Sequence, residues 1–210
     1  LGNDTSICLS SAPLLLQSSQ PAGSQYLWSD ASSGNQLQVN TDGKYWLQVT
    51  DPNGCVNSDT INVNVTVDPV FDIGNDTLIC QNNSVTIGAS VPNAAHRWNT
   101  GSASPFISVG TAGTYVLEVD LDGCIVRDTL ELTVAPLPVV NLGNDTNLCL
   151  SSAPLLLQVA HSTGSQYLWS DGSSGAQMTI NSTGTYWLRV TSPEGCSGGD
   201  TVLVRFIEDP

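Results

Sequence analysis

The sequence predicts an all-β chain of three tandem sandwich domains, each closed by its own disulfide. Three observations carry that reading: a motif that recurs three times, apolar residues that alternate with period two, and cysteines that come two to each recurrence. Leu1-Gly2-Asn3-Asp4-Thr5, leading to Cys8, returns as Ile73-Gly74-Asn75-Asp76-Thr77 before Cys80 and as Leu142-Gly143-Asn144-Asp145-Thr146 before Cys149. A second signature closes each copy, at Asn53-Gly54-Cys55, Asp122-Gly123-Cys124 and Glu194-Gly195-Cys196. The 210 residues therefore divide into repeats at 1–69, 70–138 and 139–210.

Alternation defines the strands. In Thr60 to Val67 every odd position is aliphatic and every even one polar, which reads as a last strand with one dry face. Leu130, Leu132 and Val134 repeat the pattern in the second copy, and Val202, Val204 and Phe206 in the third. A preceding strand, Tyr45 to Thr50, is matched by Tyr115 to Asp120 and Tyr186 to Thr191, and turn residues such as Asp51-Pro52-Asn53-Gly54 bracket it. Pro13 to Gln17, Gln25 to Trp28 and Gln36 to Val39 read as further short strands, giving six or seven per repeat. Trp28, Trp98 and Trp169 fall in the third strand, midway between the cysteines, where an immunoglobulin-like sandwich packs a tryptophan against its inter-sheet disulfide.

A repeat of this size is only marginally stable on its hydrophobic core, so a covalent staple is expected. Pairing within repeats joins Cys8 to Cys55, Cys80 to Cys124 and Cys149 to Cys196, at separations of 47, 44 and 47 residues. Each such loop contributes about 4 kcal/mol on the chain-entropy estimate. A zinc site would need four grouped ligands, yet there is no C-x-x-C pair and only His96 and His161. Persistent disulfides place the chain in an oxidising, extracellular setting. No apolar run reaches the length of a membrane helix, so no membrane insertion by this segment is expected.

The net charge is −14, with one lysine and four arginines, and the three repeats share it almost evenly. An acidic surface of this kind repels phosphate backbones and excludes nucleic acid as a partner. Catalysis is not expected either. The two histidines lie in different repeats, and no nucleophile elbow, phosphate loop or H-E-x-x-H is present.

Copies one and three are the closest pair: Cys8 to Gln17 is identical to Cys149 to Gln158, and Gly23 to Asp30 to Gly164 to Asp171. The connections Asp68-Pro69-Val70 and Ala135-Pro136-Leu137-Pro138 are short and stiffened by proline. Repeats joined this way should stack as a rod, about 30 Å for each and on the order of 100 Å for three.

The order L-G-N-D-T, cysteine, Tyr-Leu-Trp-Ser, a Gly-Thr-Tyr-like strand, Gly-Cys and Asp-Thr resembles the immunoglobulin-like and PKD-like repeats of Bacteroidota surface proteins. The resemblance covers essentially the whole chain. It implies a segment of a giant adhesin, such as a gliding-motility adhesin or other filamentous appendage, exported by the type nine secretion system to the cell surface. The implied role is a structural stalk whose partners are neighbouring repeats and, in a filament, copies of itself. The repeats depart from an antibody domain in being shorter and in placing Tyr45 and Tyr186 ten residues before the second cysteine.

Three sets of side chains stand out as candidate sites. Trp46 and Trp187 fall on the face opposite Tyr45, Leu47 and Val49 or their equivalents, so alternation points them outward, as a binding face for glycans or a cell-surface protein. Asp68, Asp72 and Asp76 are the candidate calcium ligands, although no D-x-[DN]-x-[DN]-G loop is present and aspartate is an ordinary turn former. Thr60, Thr77, Thr129 and Thr201 follow an aspartate and precede an aliphatic residue, a tripeptide similar to the O-glycosylation acceptor of Bacteroidota envelope proteins.

Overall fold

The computed structural model describes residues 1–209 and is all-β apart from two single-turn 3-10 helices. The first repeat contributes β1 (Thr5–Cys8), β2 (Leu14–Gln17), β3 (Gln25–Trp28), β4 (Gln36–Val39), β5 (Gly43–Thr50) and β6 (Val56–Thr66). The second contributes β7 (Thr77–Cys80), β8 (Val85–Gly88), β9 (Ala95–Trp98), β10 (Phe106–Val109), β11 (Gly113–Leu121) and β12 (Cys124–Ala135). The third contributes β13 (Thr146–Cys149), β14 (Leu155–Gln158), β15 (Gln166–Trp169), β16 (Gln177–Ile180), β17 (Gly184–Thr191) and β18 (Ser197–Ile207). No helix among the described residues is long and apolar enough to cross a membrane.

Each repeat builds a four-stranded sheet and a two-stranded one. The larger sheets run β1-β6-β5-β3, β7-β12-β11-β9 and β13-β18-β17-β15; the smaller pair β2 with β4, β8 with β10 and β14 with β16. The opening strand pairs in parallel with the last one: Thr5 stands opposite Val63 and Cys8 opposite Thr66, and the same holds for Cys80 with Ala135 and Cys149 with Ile207. The hairpin of β5 and β6 is antiparallel and turns at Asn53-Gly54, where Gly54 takes φ 86°, a left-handed value that side chains resist. Gly123 and Gly195 do the same at 89° and 86°, which explains the glycine before each second cysteine.

Alternation correctly marks the buried faces. Ile61 and Val63 of β6 are buried and pack with Leu16, Trp28, Leu37, Val39 and Leu47, while the third repeat gathers Leu157, Trp169, Met178, Ile180, Leu188, Val190, Val202 and Val204. The dry face is shorter than the alternating run, because β6 ends at Thr66 and Val67 is exposed. Trp28, Trp98 and Trp169 are buried at 0%, 1% and 0% exposure. Their indole N–H groups donate to the carbonyls of Gly34, Ser104 and Gly175 at 2.7, 2.8 and 2.7 Å, so each ring fills the core and pins the turn after its own strand. Trp28 and Trp169 do not pack on the predicted disulfide: neither of their core clusters contains a cysteine. Tyr45 and Tyr186 donate from their hydroxyls to the carbonyls of Thr41 and Ser182, four residues upstream, at 2.9 and 2.7 Å. That bond is the one a tyrosine corner makes, despite the different spacing from the cysteine.

The cysteine pairing corrects the expectation drawn from the sequence. Cys8 does not pair with Cys55, Cys80 with Cys124, or Cys149 with Cys196; the bridges are Cys8–Cys124 and Cys80–Cys196, each spanning 116 residues with a Cα–Cα distance of 5.5 Å. The reason is geometric. Cys8 lies level with the last residue of β6, whereas Cys55 immediately precedes its first, and β6 is 11 residues long. At the rise of an extended strand the two are separated by about 35 Å, against the 7 Å that a disulfide tolerates. The same strand pairing puts Cys80 and Cys124, and Cys149 and Cys196, at opposite ends of their sheets. The bridges instead join the strand-end cysteine of one repeat to the turn cysteine of the next.

The chain gathers into two compact units. The first comprises Leu1–Gly74, Ile87–Ile107 and Tyr115–Leu130 and holds Cys8–Cys124. The second comprises Asn75–Thr86, Ser108–Thr114 and Glu131–Pro210 and holds Cys80–Cys196. Cys55 and Cys149 are free and exposed.

Candidate functional site

Trp46 and Trp187 sit in the middle of β5 and β17, on the face turned away from the core. They are 38% and 39% exposed, where the adjacent Leu47 and Leu188 are 4% and 1%. The register gives each a cross-strand neighbour: Trp46 stands opposite Thr60, and Trp187 opposite Thr201. Two of the candidate glycosylation threonines thus share a face with the two candidate binding tryptophans. Beside Trp187 the surface forms a shallow depression lined by Leu168, Arg189, Gly199, Asp200 and Thr201. Gly199 contributes no side chain, and Arg189 and Asp200 supply charges of both signs at the rim. An apolar ring flanked by polar groups is the usual composition of a shallow carbohydrate or protein contact. The middle repeat has Val116 at this position, and an ion pair from Arg127 to Glu118 crosses its outer surface instead.

Thr60, Thr129 and Thr201 are exposed along their strands. Thr77 differs: it is half-buried, and its hydroxyl donates to the Asn75 carbonyl at 2.8 Å. The three exposed threonines do not open their strands, since β6 begins four residues before Thr60.

The aspartate before each of these threonines has a structural task that the sequence alone did not reveal. Asp59, Asp128 and Asp200 each accept the N–H of the following threonine at 2.8 Å. The other carboxylate oxygen of Asp128 accepts the Ile73 N–H at 2.9 Å, and that of Asp200 the Leu142 N–H at 2.8 Å; at Asp59 the Leu1 amino group takes that place at 2.6 Å. In return, Asp4, Asp76 and Asp145 of the opening motif accept the N–H groups of Asn62, Glu131 and Leu203, all at 2.9 Å. Each repeat thus closes with a reciprocal clasp between its first and last strands, and both aspartates of the recurring motifs are explained by it. The partners lie 55 or 58 residues apart, so no local pattern announces them.

These bonds stabilise the charged carboxylate. The Leu142 N–H, followed by that of Thr201, holds Asp200 below the ordinary carboxylate value of 3.8, and the Asn62 side-chain amide, followed by the Asn62 N–H, does the same for Asp4. A group whose folded pKa is depressed contributes stability that is complete above its unfolded pKa and is lost as pH falls through the folded one. We expect the thermal midpoint to be level at neutral pH and to drop below about pH 4. Asp200→Asn, which keeps the shape and removes the charge, should shrink that drop; an unchanged acid profile in a calorimetric series would count against the clasp.

The acidic residues predicted to hold calcium are spread over separate tasks. Asp68 accepts the N–H and hydroxyl of Ser10 at 2.7 Å each, Asp72 the Gly74 N–H at 2.7 Å, and Asp76 the Glu131 N–H. Among the described residues one group of three potential ligands converges, Cys8, Asp68 and Cys124, and there the two sulfurs are bonded to each other. Of the histidines, His96 accepts the Val91 N–H at 3.2 Å through Nε2, and the His161 backbone N–H donates to the Tyr167 hydroxyl at 3.3 Å.

No protein-family model and no curated relative matches the sequence. Among solved structures, the I-band fragment I67–I69 from titin is similar over 98% of this chain and 96% of its own, at 12% identity and a TM-score of 0.53. Extracellular domains 3–5 of Drosophila OTK align over 99% of this chain and 95% of theirs, at 11% identity and a TM-score of 0.38. The titin likeness shows the fold, a tandem array of immunoglobulin-like sandwiches.

Proposed function

We propose that this chain is a structural segment of an extracellular stalk, carried by a large cell-surface adhesin or filamentous appendage of the Bacteroidota type, with repeats bounded at 1–69, 70–138 and 139–210. The observation that carries the reading is the pair of bridges that fasten each repeat to the next. A sandwich that only needed stability would gain as much from a staple within itself; a covalent tie between neighbours serves to keep repeats together. Disulfides of this kind persist outside the reducing cytosol, which supports an exported protein. The cores of the first and third repeats close around Trp28 and Trp169 without a cysteine, which suits a spacer of self-sufficient repeats.

Solution scattering on the unreduced protein tests the proposal. A rod of three repeats has a radius of gyration of roughly 30 Å, on the length that the strand rise gives. A compact globule of 210 residues has roughly 17 Å, and that value would refute the stalk.

The exposed tryptophans favour a second reading, an adhesive face for glycans or a cell-surface protein. Trp46→Ala and Trp187→Ala remove partly exposed rings, so we expect stability changes of only about 0.5–1 kcal/mol and, on a glycan array or in a cell-binding assay, loss of whatever signal the parent chain gives. Equal signal from the double variant would remove this reading and leave the spacer.

A further inference from the structure

The outward faces of the larger sheets differ in charge from repeat to repeat. In the middle repeat Glu118, Asp120 and Glu131 outnumber Arg97 and Arg127 on that face, and Arg127 is paired with Glu118. In the third repeat the same face carries Arg189 on β17 and Arg205 on β18, both exposed, and its strand residues include no carboxylate. Neither guanidinium has an ion pair among the described residues, although the chain has a net charge of −14 and only five basic residues. Trp187 lies between the two arginines. We propose that this face of the third repeat binds a carboxylated polysaccharide laid along its strands, with a sugar ring stacked on Trp187 and carboxylates held by Arg189 and Arg205.

The register sets the scale. Arg189 stands opposite Gly199, and Arg205 is six residues further along β18, so the two cations are about 20 Å apart at the rise of an extended strand. That span calls for a polymer with repeated charges, because one small molecule cannot reach both ends. Between them the face is uncharged: Trp187 beside Thr201, then Thr185 beside Leu203. Gly199 keeps the floor next to the ring bare, since a Cβ there would come within 2.7 Å of the Leu188 carbonyl oxygen. Asp200, at the rim of the same depression, does not neutralise Arg189; its oxygens accept the N–H groups of Leu142 and Thr201.

Each part suits one feature of such a ligand. The planar fork of a guanidinium matches a carboxylate, and an exposed indole offers an apolar platform to the C–H face of a sugar. A protein partner fits less well. A stable protein interface covers about 800 Å² on each side around an apolar centre, and here a single ring and two half-buried leucines, Leu168 and Leu203, are set among polar strand residues. The acidic residues elsewhere on the chain do not prevent binding, because the Debye length at physiological salt is about 8 Å.

This inference rests on the adhesive-face reading and narrows it to one ligand class. The full chain, unreduced, is titrated with polygalacturonate, neutral dextran and polyglutamate at low and at high salt. We expect polygalacturonate to bind, more weakly at high salt, and dextran not to bind. Arg189→Gln and Arg205→Gln should each weaken binding about threefold, and Trp187→Ala about tenfold, with unchanged circular dichroism. Arg97→Gln removes the same charge from the middle repeat and should leave the affinity as it was. No binding of polygalacturonate, an equal loss with Arg97→Gln, or equal affinity for polyglutamate would overturn the proposal. If polygalacturonate fails while dextran or a cell surface binds and Trp187→Ala abolishes that signal, the adhesive face stands and the acidic ligand falls.

Discussion

Replacing Cys8 and Cys124 together with alanine is expected to lower the unfolding free energy of the first compact unit by about 5 kcal/mol, the chain-entropy value for a loop of 116 residues. The change is comparable to the net stability of a small domain, so urea unfolding of the unreduced protein should show it plainly. Cys55→Ala and Cys149→Ala provide the contrast. Both residues are exposed and unbridged, and each substitution should move stability by less than about 0.5 kcal/mol. If Cys55→Ala instead matched the double variant, the pairing across repeats would be wrong.

The second large effect is expected at Trp169. The ring is completely buried, fills the centre of the third repeat's core among residues such as Leu157, Ile180, Leu188 and Val204, and donates to the Gly175 carbonyl. Trp169→Ala removes that volume from a packed interior and should cost about 3–5 kcal/mol. Trp187→Ala, on the other face and only eighteen residues along, should cost far less, because its ring is 39% exposed. Circular dichroism during chemical denaturation separates the two; similar midpoints for both variants would mean that the core assignment is mistaken.

Much of this architecture is written in short-range pattern. Short apolar runs give the strands of Gln25–Trp28 and Gln36–Val39 to the residue, the immunoglobulin-like position between the cysteines sends Trp28 inward, and period-two alternation sends Trp46 outward. The cysteine pairing is not of that kind. It depends on the parallel pairing of the first strand with the last, which alternation within a strand cannot reveal, and near-equal spacings of 47, 44 and 47 residues make the wrong pairs attractive. A stronger signal was present, since the separation between Cys8 and Cys124 equals that between Cys80 and Cys196. The aspartate clasp was hidden for a similar reason. Asp4 and Asp59 look like strand and turn residues when read with their neighbours, and their purpose appears only when residues 58 apart are brought side by side.

The two bridges overlap in the chain, and overlap alters how a load would travel. Along the backbone, 188 residues separate Cys8 from Cys196, but a shorter covalent route crosses to Cys124, runs backward to Cys80 and crosses again, using only 44. At about 3.5 Å per residue, the fully unravelled but oxidised segment reaches about 150 Å, where the reduced one would reach about 660 Å. Tension would pass through the middle repeat against the direction of its sequence while the stretches on either side hang slack. The sulfur pairs thereby cut the covalent path from Cys8 to Cys196 from 188 residues to 44, and reduction lets out the rest.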